Sequence, residues 1–214
     1  MAAQVTAGVD LGVTKIQTVV LRDHEVAGSC RVLTPQTGVA GDVIEAIAGT
    51  IRESLGQAKA AEGDLGGIGI GTPGEVDAKA GVVSRAANVP GFSDRVELGP
   101  LLSTAMDGVK VMVDNDVSVG VLGEFRRGAG RPYKNLLGVW VGTGVGGGLI
   151  LNGKLREGRG AAGEIGHVVV KPGGRLFARA AGAAASKRMP GARAWSGELE
   201  PSSSAAARQT CFGS

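Results

Sequence analysis

Val141-Gly-Thr-Gly-Val-Gly-Gly-Gly-Leu-Ile150 decides how this chain is read. Apolar residues precede it (Leu136, Leu137, Val139, Trp140) and follow it (Leu149, Ile150, Leu151). Between them Gly142, Gly144, Gly146, Gly147 and Gly148 leave the backbone almost bare. Glycine lets another group come close to the main chain and reaches positive φ at no steric cost. Consecutive N–H groups in such a turn form a concave nest for phosphate oxygens, and Thr143 adds a hydroxyl donor. The expected structure is strand, phosphate-binding turn, strand. Gly142, Gly144 and Gly147 also fit G-x-G-x-x-G, but that fingerprint opens a helix. Here the stretch runs on through Leu151 to Asn152-Gly153, a hairpin turn signal. The plain alternative is a glycine-rich hairpin that holds no ligand.

Outward from this stretch, composition narrows the class. A chain of 214 residues holds one large domain or two small ones. The net charge of +3 is small, and no basic run is interleaved with aromatics, which argues against a nucleic-acid partner. Cys30 and Cys211 are too far apart in sequence to suggest a disulfide framework or a metal cluster. The start has no basic-then-apolar leader. The longest apolar stretch, Leu136 to Leu151, is broken by glycines and too short to span a membrane. The expected setting is cytoplasmic, with no membrane partner.

Upstream, β-branched runs at Val5 to Asp10, Ile16 to Leu21 and Val26 to Leu33 read as strands. The turn between the first two carries Asp10, Gly12, Thr14 and Lys15. A carboxylate, a hydroxyl and an ammonium together suit a Mg²⁺–phosphate group; the alternative is a polar hairpin turn. Val43, Ile44, Ile47 and Ile51 recur at helical spacing, so Gly41 to Leu55 is expected to be a helix. Leu65 to Ile70 is a strand ending in the turn Gly71-Thr-Pro-Gly74. Ala80 to Val83 is a candidate hairpin strand, and Asn88-Val-Pro-Gly-Phe92 is a loop, since Pro90 forbids a central strand. Leu98 to Met106 reads as a helix and Val109 to Val113 as a strand.

That strand ends in Asp114-Asn-Asp116. In α/β sheets ligands bind outside the carboxyl ends of strands. Asp116 is a short carboxylate suited to accept a proton from a substrate hydroxyl, and the Asn115 amide offers both donor and acceptor to sugar-like hydroxyls. The alternative is that Asp114 or Asp116 merely caps a helix over Val117 to Arg126. Beyond the glycine stretch, small residues surround Glu164 and His167, which share a face if the segment turns helically. From spacing alone His167 reads as structural. His24 has no pattern around it and reads as surface.

Several separated motifs now stand in order. They are Asp10-Leu-Gly-Val-Thr-Lys15, Gly69-Ile-Gly-Thr-Pro-Gly-Glu-Val-Asp77, Asn88-Val-Pro-Gly-Phe92, Asp114-Asn-Asp116, Leu122-Gly-Glu124, Gly142-Thr-Gly-Val-Gly-Gly-Gly148 and Ala162-Gly-Glu-Ile-Gly-His167. Over residues 5–176 the chain resembles the ROK family of sugar kinases and their repressor relatives. The resemblance implies an α/β, actin/hexokinase-like (ribonuclease H-like) ATPase fold of two domains around a cleft. The expected division is an N-terminal domain at 1–117, the start of an incomplete second domain at 118–176, and a tail at 177–214. By resemblance, Asp10, Gly12, Thr14 and Lys15 form a first phosphate loop for ATP and Mg²⁺, and Gly142, Thr143 and Gly144 belong to a second. Asn88, Asn115, Glu164 and His167 would contact sugar hydroxyls, and Asp116 would be the base. His167 would also be the first ligand of a structural Zn²⁺, and a homodimer is compatible with the full-length form. Val13 stands where the family often has a second glycine.

The tail departs from the family pattern. After Leu176 the family continues with C-x-C-G-x-x-G-C-x-E, whereas here no such cysteines follow Phe177. From Phe177 to Ser214 there is no Val and no Ile, and Ala, Arg, Ser and Gly dominate. Such a segment buries little apolar surface and is expected to be disordered. GC-rich codons for residues 177–193, read one frame over, can encode the missing C-G-x-x-G-C-x-E. The tail is therefore expected to be out of frame, the chain truncated, and Zn²⁺ not tightly bound. The implied activity is transfer of the ATP γ-phosphoryl group to a hexose, glucokinase-like and impaired by the truncation. The alternatives are a non-catalytic sugar-binding remnant and a sugar-responsive repressor relative. The chain begins almost at once with the first kinase strand, which counts against the repressor.

Overall fold

The computed structural model describes residues 4–141, 145–158, 162–163 and 165–167. Strands β1 (Val5–Leu11) and β2 (Lys15–Arg22) form a hairpin, and β3 (Glu25–Leu33) returns beside β2. Helix α1 (Ala40–Gln57) leads to β4 (Leu65–Thr72). A small hairpin of β5 (Glu75–Asp77) and β6 (Val82–Ser84) precedes helix α2 (Leu98–Ala105). Next come β7 (Val111–Asn115), helix α3 (Asp116–Arg127), and the strands β8 (Leu136–Val141), β9 (Val145–Leu151) and β10 (Lys154–Arg156). The first sheet has the order β3-β2-β1-β4-β7, and the second, wholly antiparallel, has the order β10-β9-β8.

Alternation explains the first sheet. Val5, Ala7, Val9 and Leu11 of β1 point inward, and their neighbours face the other way. The expected helix is there, with Val43, Ile44, Ile47 and Ile51 buried against the sheet. Burying a side chain the size of Ile47 contributes about 1.5–3 kcal/mol. One polar pair sits inside this apolar layer. Thr50 donates its hydroxyl to the Ile47 carbonyl at 2.7 Å. Its proton is thereby used, so Thr18 is the donor in the 2.7 Å contact between the Thr18 and Thr50 hydroxyls. That bond fixes where α1 lies along β2.

Turn chemistry follows the sequence. Asn152 and Gly153 both have positive φ and join β9 to β10, as the Asn-Gly pair predicts. Asp23 and His24 do the same between β2 and β3, which places the exposed His24 in a hairpin turn. Among the described residues, no helix is long and apolar enough to cross a membrane.

The glycine stretch holds a correction. Gly146, Gly147 and Gly148 were read as part of a phosphate nest, but they lie inside β9. Their bareness is used for packing. A Cβ on Gly146 would come within 2.7 Å of Val117 Cγ2, and one on Gly148 or Gly138 within 2.5 Å of Val121 Cγ2. Helix α3 thus lies flat on a glycine surface. On Gly147 a Cβ would collide with the Gly163 carbonyl. The turn itself, Gly142, Thr143 and Gly144, lies outside the described residues, as does the tail. The boundary expected at 117–118 falls just inside α3, which packs on both sheets.

Candidate active site

Three parallel strands end side by side. In the register of β1 and β4, Asp10 lies opposite Gly71; in that of β4 and β7, Gly71 lies opposite Asp114. A Cβ on Gly71 would stand in ordinary contact, 3.4 Å from the Asp116 Cα, so Asp116 lies beside the same position. β7 then passes into α3 with no loop, so Asp116 is the first helical residue. Asp10 and Asp116 therefore flank one glycine at the carboxyl ends of the sheet, where α/β folds bind ligands.

The helix cap is neither aspartate. Asn115, in extended conformation, accepts from the Val117 N–H at 3.0 Å and the Ser118 N–H at 3.4 Å through Oδ1. A cap needs a non-helical residue with an acceptor facing the first turn. Asp116 is already helical, although its Oδ1 shares the Val117 N–H at 2.9 Å, and Asp114 turns back to accept the Asn115 N–H at 2.7 Å. The other end of the Asn115 amide donates to the Gly74 carbonyl at 3.4 Å, leaving one N–H for a ligand.

Charge and burial act on two of the carboxylates. Partial burial pushes the Asp10 carboxyl above its ordinary value, the negative charge of Asp116 pushes it further, and Lys15 pulls it back. Burial also raises Asp114; the Asn115 N–H lowers it, and Glu157 raises it again. Glu157 follows β10, so the second sheet brings a carboxylate to the edge of the first. No sequence signal marked Glu157.

The first loop is held from below. The Gly12 N–H donates to the Lys15 carbonyl at 2.9 Å and closes the turn. Thr34, just past β3, donates its N–H to the Thr14 carbonyl at 3.1 Å and its hydroxyl to the Gly12 carbonyl at 2.8 Å. Gln36 Nε2 donates to the Val13 carbonyl at 3.3 Å and to the Thr34 carbonyl at 2.9 Å. Neither residue was singled out from sequence; a threonine before a proline at a strand end was the available hint.

Asn88 is exposed on a loop whose neighbours Val89 and Phe92 are fully buried. The Ala86 N–H donates to the Phe92 carbonyl at 3.1 Å, so the loop is a closed knuckle. Gly74 packs against Ala86 and is also the carbonyl partner of Asn115. The Asn88 loop is thus tied to the strand end that carries Asp116. His167 ends a short 3-10 turn, Ile165–His167, and its side chain lies outside the described residues, as does Glu164. The zinc assignment to His167 therefore also lies outside them.

Comparison with known proteins matches this arrangement to one family. The ROK family pattern matches residues 6–182. The glucokinase of Halalkalibacterium halodurans is 36% identical over 171 residues, covering 78% of this chain and 50% of that protein. The crystal structure of a ROK hexokinase from Thermus thermophilus superposes with a TM-score of 0.71 at 34% identity, covering 80% of this chain and 55% of that one. A ROK family glucokinase from Streptomyces griseus, in complex with glucose and AMPPNP, gives 0.66 at 31% identity, covering 83% and 55%. The chain spans about half the length of the curated relatives it matches. The actin/hexokinase-like α/β fold expected from sequence is the fold of these structures. With the family pattern running from the first strand of the first sheet past its last described residue, this chain belongs to the ROK family.

Proposed function

We propose that this chain serves ATP-dependent phosphorylation of a hexose, with glucose the first candidate. The observation that carries the reading is that Asp10, opposite Gly71 in the sheet, and Asp116, beside the same glycine, converge at the strand ends. Asp116 accepts the proton of the attacking sugar hydroxyl. Asn115 offers its remaining N–H to the sugar, and Asn88 faces it from the closed loop tied to Gly74. Gly12, Thr14 and Lys15 meet the phosphate oxygens. The residues outside the described set, Glu164, His167, Gly142, Thr143 and Gly144, are assigned to the sugar and to the second phosphate loop by family resemblance.

The donor set fits a magnesium nucleotide. The Asp10 carboxylate, raised by burial and by the neighbouring charge of Asp116, is relieved by a hard cation. Mg²⁺ takes one or two protein carboxylates and fills its remaining positions with water and phosphate oxygens. When bound, Mg²⁺–ATP supplies the γ-phosphoryl group and neutralises its charge. The protein's part is positioning and proton acceptance.

The test is Asp116→Asn, assayed for ATP-dependent sugar phosphorylation and, separately, for glucose binding. Loss of a general base lowers turnover by about 10²–10⁴-fold, with glucose affinity within about twofold of wild type. Unchanged turnover removes Asp116 as the base. A wild-type chain that binds glucose without turnover supports the sugar-binding remnant instead.

A further inference from the structure

We propose that Thr34, assisted by Gln36, is a positioning residue that presents the first loop's N–H groups to the nucleotide phosphates. The inference rests on the phosphate role assigned above to the Gly12–Lys15 loop. In a trans peptide the C=O and N–H of one unit point in opposite directions. The carbonyls of Gly12, Val13 and Thr14 are all taken by the 34–36 segment. The N–H groups of the first two of these peptide units belong to Val13 and Thr14, and they face the other way. Among the described residues, the Val13 and Thr14 N–H groups make no hydrogen bond. A row of N–H groups aimed outward is the geometry of an anion nest. Free to rotate, three carbonyls at this point would instead present negative dipoles to a phosphate.

The sequence explains why Thr34 can do this. Pro35 confines the residue before it to extended conformations. Thr34 is therefore held extended at the end of β3, with both its N–H and its hydroxyl on the loop. It is 2% exposed, so no water competes for those bonds. Gln36 is exposed and reaches the middle carbonyl only through its side chain. Thr34 is the principal brace and Gln36 the lesser one.

The test measures binding of magnesium–AMPPNP and of glucose to the 214-residue chain and to four variants. Thr34→Val keeps the shape and removes the hydroxyl; nucleotide affinity is expected to fall about tenfold, or ~1.4 kcal/mol, with glucose affinity unchanged. Thr34→Ser restores the hydroxyl and returns nucleotide affinity to within about twofold of wild type. Gln36→Ala, at an exposed position that leaves folding intact, weakens nucleotide binding about threefold, in keeping with one long hydrogen bond. Thr14→Ala checks the loop's own contact. If wild type binds no nucleotide, the phosphate role of the loop falls and the brace falls with it. If Thr14→Ala weakens binding while Thr34→Val and Gln36→Ala bind like wild type, the loop stands and the brace alone is overturned. A Thr34→Val chain that melts lower but binds nucleotide normally overturns it as well.

Discussion

Asp114 lies between two demands. Its carboxylate is the acceptor for the Asn115 N–H, which helps hold the residue before Asp116 in place. The same carboxylate is partly buried and faces the charge of Glu157. Its folded pKa therefore lies above the ordinary value of 3.8. Between that value and the folded one, the unfolded chain has lost the proton while the folded chain keeps it. Stability then falls as pH rises through this window. Asp114→Asn keeps an acceptor for Asn115 and removes the charge. Thermal denaturation is expected to show a higher Tm than wild type at pH 7, with the gain gone once pH is below 3.8. A gain that persists equally in acid would mean that charge is not the cause. At this scale the sequence was only partly legible. It marked Asp114-Asn-Asp116 as chemistry-bearing, yet all three can cap a helix, and the choice of Asn115 depended on where the strand stops being extended. That stopping point is set by pairing with β4, a tertiary fact.

The elements divide the glycines into two kinds. Gly49 lies in α1 with nothing within 4 Å of where its Cβ would stand. Alanine there relieves the entropic cost of a helical glycine, and Gly49→Ala is expected to stabilise by about 0.5–1 kcal/mol. Gly148 is the opposite case, because its missing Cβ makes room for Val121. Gly148→Ala overpacks the seat of α3 at a cost of about 1–3 kcal/mol. Helix α3 is then displaced together with Asp116 at its start, so the proposed phosphoryl transfer falls along with Tm. Melting curves and turnover of the two variants test the contrast; a Gly148→Ala chain that melts and turns over as wild type would remove the packing account. The sequence reading located the strands on either side of this stretch and the Asn152-Gly153 turn beyond it. It could not divide the glycines, because a bare backbone looks the same whether a phosphate or a helix lies against it.

Across the whole molecule, the β-strands and α1 were legible because each carries its own periodicity: alternation in β1, three- and four-residue spacing in α1. The brace of Thr34 on Gly12 was not, since the two are 22 positions apart and meet only when β3 returns beside β2. The same holds for Glu157 and Asp114. The direct join of β7 to α3 has a kinematic result. The Asn115–Asp116 peptide belongs to the first sheet on one side and, on the other, to helix α3, which packs on both sheets and seats on the glycines of the second. If sugar tilts one layer against the other, the motion turns about this joint. Points near an axle travel least. Spin labels replacing Thr6 and Lys154, one on each sheet, are then expected to change separation with glucose, while labels replacing Thr6 and Ser118 hold theirs. Equal changes in both pairs would dismiss the axle. Asp116 would thus stand at the still centre of that motion, keeping its aim while the rim swings.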